Sequence, residues 1–177
     1  MTANKNIPYY LTVIGFFILL KFIYTVAGTN ELSFLLNPTN KIVGLLTGSQ
    51  SVFIQDIGYF HQQLNILIDK SCSGFNFWLL CFLMLSFLVL KYFENKASKI
   101  LAMIFSLLGA YVFTILVNSS RIFTSIIIQN QNQNLSFTRD SIVHESIGIV
   151  TNLTFLILIY LITEKILIEH NTNAKFT

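Results

Sequence analysis

The chain has 177 residues, of which 54% are hydrophobic and only 11% charged, and its mean hydropathy is +0.66. A soluble domain carries about 25% charged residues, so polar surface is too scarce here for a dissolved globule and a membrane protein is implied. The net charge of +3 is too small and too dispersed for nucleic-acid binding, and two cysteines with three histidines supply neither a disulfide framework nor a zinc spacing. No metal or other cofactor is expected.

The first apolar run, residues 9–27, is long enough to cross a hydrocarbon core of about 30 Å at 1.5 Å per residue. No small-residue cleavage site follows it, so it reads as an anchored helix and not as a removed signal peptide. Lys21 inside it is expected to snorkel or to face other helices. Residues 28–71 are broken by Pro38, Gly44, Gly48 and Gly58, and nothing there spans. Asn37-Pro38-Thr39-Asn40 predicts a turn into a short amphipathic interfacial helix carrying Ile42, Val43, Leu45 and Leu46. Residues 51–55 and 58–68 predict one or two short strands around a turn at Asp56.

Three more spans follow, at about 73–91, 100–121 and 141–163. The fold class is therefore an all-α integral membrane protein: about four transmembrane helices and an outer-face segment, within one membrane-embedded domain over 1–177. Lys91, Lys96 and Lys99 crowd one loop, and Lys5, Lys165 and Lys175 flank the termini. By the positive-inside rule that loop and both termini are cytoplasmic, which puts residues 28–71 and the loop around 129–140 on the outer face.

Counting from the inner lysines places the reactive side chains. Cys72 lies 19 residues from Lys91, Arg121 lies 22 from Lys99 and His144 lies 21 from Lys165. These spacings correspond to about 28, 33 and 31 Å of helix, each close to the core thickness. All three are expected near the outer boundary, on three different helices. Their chemistry suits acyl transfer. A thiolate is the nucleophile, a guanidinium beside it favours that form, and a histidine in reach can take the thiol proton and return one to a leaving amine. The arginine can alternatively or additionally stabilise the oxyanion of an attacked carbonyl. Ser73 and Gly74 give Cys72 a small, polar setting at a span entrance. Asn118, three residues before Arg121, can orient the guanidinium. Cys81, His61 and His170 lack such company: Cys81 reads as a packing residue and the two histidines as loop residues.

At these residues the chain resembles the exosortase and archaeosortase family, whose pattern is a Cys-Ser-Gly entering one transmembrane helix, an Asn-x-x-Arg at the outer end of the next and a His opening a later one. Cys72-Ser73-Gly74, Asn118-Ser119-Ser120-Arg121 and His144 match it in identity and order, over about residues 35–161. The resemblance is greatest to the compact branch called exosortase K, since many members are longer. It implies a cysteine peptidase or transpeptidase of a bacterial inner membrane, with Cys72 as nucleophile, His144 as proton shuttle and Arg121 as charge stabiliser. Its partner would be a membrane-anchored protein substrate bearing a C-terminal sorting signal: a short motif, a transmembrane helix and a basic tail. The rival expectation is a non-enzymatic membrane component, such as a small transporter or assembly subunit, with Lys21 and Arg121 lining a polar path. Neither His-Glu-x-x-His nor Gly-x-Ser-x-Gly occurs, so other protease chemistries are disfavoured.

Overall fold

In the computed structural model, which describes residues 3–131 and 137–173, five α-helices and one small sheet follow in the order α1 (Ala3–Val26), α2 (Ser33–Thr47), β1 (Val52–Ile54), β2 (Gly58–His61), β3 (Ile66–Ile68), α3 (Phe75–Tyr92), α4 (Lys96–Gln131) and α5 (Phe137–Asn173). Four stretches are long and apolar enough to cross a membrane: Asn6–Val26, Lys70–Tyr92, Lys96–Ile128 and Gly148–Glu169. The protein is thus an all-α membrane protein with four candidate spans, as its composition implies. The third stretch continues past the expected 121, and the helix that carries the fourth runs from Phe137 to Asn173.

The chain forms two compact units. One comprises Met1–Thr25, Asn76–Phe113 and Phe155–Thr177. Its interior is apolar, with Val13, Phe77, Leu79, Phe82, Leu85, Leu88 and Leu90 buried, while Leu11, Leu19, Phe22, Phe105 and Leu161 stay more than half exposed. Exposed bulk of this kind suits contact with lipid chains. Polar ties fasten the helices from within. The Asn6 carboxamide donates to Leu90 O at 2.9 Å and accepts from Lys99 Nζ at 2.6 Å. Lys99 is consequently buried, its charge also 5.2 Å from the centre of the Tyr9 ring. Lys21 Nζ donates to Asn76 Oδ1 at 2.6 Å, so this mid-span lysine pairs with α3. Edge-to-face contacts of Tyr10 with Phe87 and Phe16 with Phe82 complete the seam between α1 and α3.

The other unit comprises Val26–Phe75 and Thr114–Thr154. Here the expected turn at Asn37–Asn40 is corrected, because α2 runs straight through Pro38. Leu35, Leu36, Thr39, Asn40 and Val43 are buried at i, i+1, i+4, i+5 and i+8, one continuous stripe. Burying that stripe outweighs the loss of one N–H at Pro38, which lies early in the helix. At the far end Gly48 takes the left-handed conformation, φ 66°, and its N–H closes on Gly44 O. The strands form an antiparallel meander, β1-β2-β3, with Val52 opposite Phe60 and Phe60 opposite Leu67. The segment 58–68 is thus two strands, and the turns fall at Asp56 and Asn65, both at positive φ.

His61, expected to be a loop residue, is fully buried in β2. Its Nε2 lies 2.8 Å from Asn40 Oδ1 and its Nδ1 2.7 Å from Ser49 Oγ, while Asn40 Nδ2 donates to Ser51 Oγ at 2.9 Å. Because the Asn40 oxygen can only accept, Nε2 carries the proton and Ser49 donates to Nδ1. The neutral ring is therefore fully paired and ties α2 to the sheet. Burial pushes its pKa below the ordinary 6.5. Above pH 6.5 the ring is neutral whether folded or unfolded. Below it the unfolded chain binds a proton that the folded chain refuses, so stability falls with acidification, by up to about 1.4 kcal/mol per pH unit. Hydrogen exchange at pH 7.5 and pH 5 is expected to show protection of β2 and β3 dropping at the lower pH, with the loss abolished in His61→Gln.

Candidate active site

Cys72 sits at the end of a single 3-10 turn, Lys70–Cys72, that delivers the chain into α3. Asp69 builds this turn. Its Oδ1 accepts from Ser71 N at 2.9 Å, Ser71 Oγ at 2.6 Å and Cys72 N at 3.3 Å. Because the Ser71 proton goes to Asp69, the Ser71 oxygen is left as an acceptor toward the Cys72 sulfur, 3.8 Å away. A thiol, a hydroxyl and a carboxylate therefore stand in line. Asp69 did not emerge from the sequence; its signal is an Asp three residues before the cysteine, the spacing of a side chain capping a turn.

Ser73 is buried, and its Oγ accepts from Phe75 N at 3.4 Å, capping α3. Gly74 has φ 70°, and a Cβ there would stand 3.0 Å from Thr114 Cγ2 and 3.1 Å from Asn118 Cγ. The entrance of α3 and the wall of α4 are in contact at this glycine, which is why no larger residue fits.

That approach lets the buried Asn118 carboxamide donate to the Cys72 carbonyl oxygen. Asn118, expected to orient the guanidinium, instead fixes the backbone of the cysteine. Ser119 and Ser120, the remaining polar residues of this patch, return their hydroxyls to the carbonyls of Ile115 and Leu116. This i−4 bonding lets serines sit within an apolar helix. Arg121 does not end the helix, since α4 continues ten residues beyond it. Its Nε is buried with no hydrogen-bond partner among the described residues. Helix α5 reaches Arg121 at Gly148, where a Cβ would lie 3.4 Å from Arg121 Cδ and 3.6 Å from Nη1. His144 lies on α5 four residues before Gly148, about 6 Å along the axis. Its side chain lies outside the described residues.

A cavity of about 310 Å³ opens beside the cysteine, lined by Asn65 to Asp69, Ser71 and Cys72 on one side and by Ile122, Ser125 and Ile126 of α4 on the other. Arg121 adjoins this wall through Ile122 but is not part of the lining. The structure thus brings Cys72, Ser73, Gly74 and Asn118 together and sets Arg121 against α5 one turn from His144. Cys81 is buried, in keeping with a packing role. Among the described residues no group of His, Cys, Asp and Glu is suited to hold a metal.

Compared with protein-family models, with curated proteins and with solved structures, the chain matches none.

Two substitutions test this geometry. Gly74→Ala would place a side chain against Thr114 and Asn118 at a left-handed φ, and is expected to cost about 1–3 kcal/mol, read as a lowered unfolding midpoint in detergent. Asn118→Leu would strand the buried Cys72 carbonyl at a cost of about 1–3 kcal/mol and should raise the alkylation rate of Cys72 as its turn loosens.

Proposed function

We propose that the protein is a membrane-embedded cysteine peptidase or transpeptidase of the exosortase and archaeosortase type. It acts on the C-terminal sorting signal of exported proteins at the outer face of a bacterial inner membrane, with both termini in the cytoplasm. The observation that carries this reading is the hydrogen bond from Asn118 to the Cys72 carbonyl. It joins the Cys-Ser-Gly element and the Asn-x-x-Arg element, 46 residues apart in sequence, at one place. The cavity that Cys72 helps to line leaves room for a substrate segment beside this residue.

In this mechanism the Cys72 sulfur attacks the scissile carbonyl carbon, and a C–S bond forms while the carbonyl oxygen takes up negative charge. His144 removes the thiol proton and passes it to the departing amine as the C–N bond breaks, leaving a thioester. Water or an amine then attacks the thioester and regenerates the thiol. Arg121 stabilises the charged states, either the thiolate or the oxyanion. Asp69, through Ser71, and Asn118, through the backbone, hold the sulfur in register, so positioning supplies part of the acceleration. A substrate helix in the same bilayer brings its juxtamembrane peptide to the site by lateral diffusion.

The rival reading, a non-enzymatic subunit in which Lys21 and Arg121 line a polar path, has less to build on at Lys21, which is already bonded to Asn76 of the same chain; the unpartnered Arg121 Nε serves either reading.

The test is a set of reporters, each ending in a short candidate motif, a transmembrane helix and a basic tail. Coexpression is expected to yield the processed form. Cys72→Ala should leave the reporter full length, and Arg121→Met should slow processing by roughly 10²–10³-fold. Complete processing by Cys72→Ala would overturn the reading.

A further inference from the structure

The meander presents its third strand, β3, as an edge: the sheet order is β1-β2-β3, so among the described residues one side of β3 has no neighbouring strand. The phase of that strand follows from Gly58. A Cβ on Gly58 would lie 2.3 Å from Ile68 O, so the Ile68 carbonyl is turned toward β2. In an antiparallel ladder the N–H and C=O of one residue project to the same side, and successive residues alternate. Ile66 and Ile68 therefore face β2, and Leu67 turns its N–H and C=O to the open edge. The cavity beside Cys72 is lined by this strand along its whole length, Asn65 to Asp69, and continues past Ser71 to Cys72.

We infer that this edge is the substrate-docking rail: an extended peptide segment of a membrane-anchored protein adds to β3 as a fourth strand, pairing its backbone with Leu67 and bringing its scissile carbonyl to Cys72. This rests on the reading of Cys72 as the nucleophile and specifies how substrate is held. Backbone pairing fixes an extended peptide whatever its side chains, and pockets on alternate sides then select among sequences. The facing wall supplies such a pocket. Ile122 and Ile126, one turn apart on α4, present apolar surface, and Ser125 between them turns its hydroxyl back to Arg121 O. A side chain pointing at α4 near the scissile bond is accordingly apolar. The occupant is a peptide because the edge offers an N–H and a C=O on the same residue, a pair that an extended backbone complements with two hydrogen bonds.

The test uses the full chain in nanodiscs with two thiol-reactive probes: acetyl-Ala-Leu-Ala vinyl sulfone and its twin with every backbone nitrogen methylated, which loses the donors a strand needs. Alkylation is followed by intact mass and mapped to Cys72. The parent peptide is expected to react about tenfold faster than the methylated twin, the worth of one to two backbone hydrogen bonds. Leu67→Pro, which removes the outward N–H, should erase that preference, and Leu67→Ala, which keeps it, should not. Iodoacetamide, too small to dock, should label Cys72 equally in all three proteins. If Leu67→Pro disturbs the fold, its iodoacetamide rate will shift, and the wild-type comparison of the two peptides then decides alone. No preference for the parent peptide in the wild-type protein, whether both probes react or neither does, overturns the docking rail, as does a preference that survives Leu67→Pro with an unchanged iodoacetamide rate. Neither result bears on whether Cys72 processes the reporter, so failure of the rail and failure of the nucleophile are told apart.

Discussion

A hydrocarbon solvent offers no hydrogen bonds, so every polar group carried into it must find its partner inside the protein. Much of what is specific about this chain follows from that constraint. Its serines at 106, 119, 120 and 125 bond back to their own helices, at no cost to packing. Its lysines at 21 and 99 are met by asparagine oxygens on other helices, and the same Asn6 that receives Lys99 also holds the Leu90 carbonyl. Each of these ties fixes which helix faces which, a decision that bulk apolar contact alone leaves loose.

The contact between Asn118 and Cys72 is the same device turned to positioning. A carbonyl that ends a 3-10 turn has no helical partner, and one carboxamide from α4 supplies it. Gly74 makes the approach possible and Asp69 shapes the turn from the other side, so the cysteine, one of the residues lining the cavity, is held by its backbone from two directions. Cys72 is buried on this capped turn but lines the cavity, whereas Cys81, within α3, has none of its surface open.

The segment between α1 and α3 solves a different problem. Its exposed apolar residues, Leu45, Leu46, Val52 and Phe53 among them, are too many for a surface bathed only in water and fit the membrane interface. Its inner side is organised by a polar chain, Ser51, Asn40, His61 and Ser49, fully paired only while the histidine is neutral. A short meander is marginal by itself, and this network together with the stripe on α2 gives it something to fold against.

Sequence alone determined the class and the span count, because apolar length against bilayer thickness is a one-dimensional quantity. It also singled out Cys72, Asn118 and Arg121, since polar residues in apolar sequence are conspicuous wherever they point. The paths it misjudged are those decided by partners distant in the chain. Asn37 to Asn40 carries every local sign of a turn, yet Leu35, Leu36 and Val43 bury together and keep it helical. His61 looked solitary because Asn40 and Ser49 lie 21 and 12 residues away. The role of Asn118 likewise waited on tertiary structure. Helical spacing pointed its side chain toward Arg121, and only the close approach at Gly74 turned it to the Cys72 carbonyl, because hydrogen bonds are made by distance in space, which periodicity along one helix does not encode.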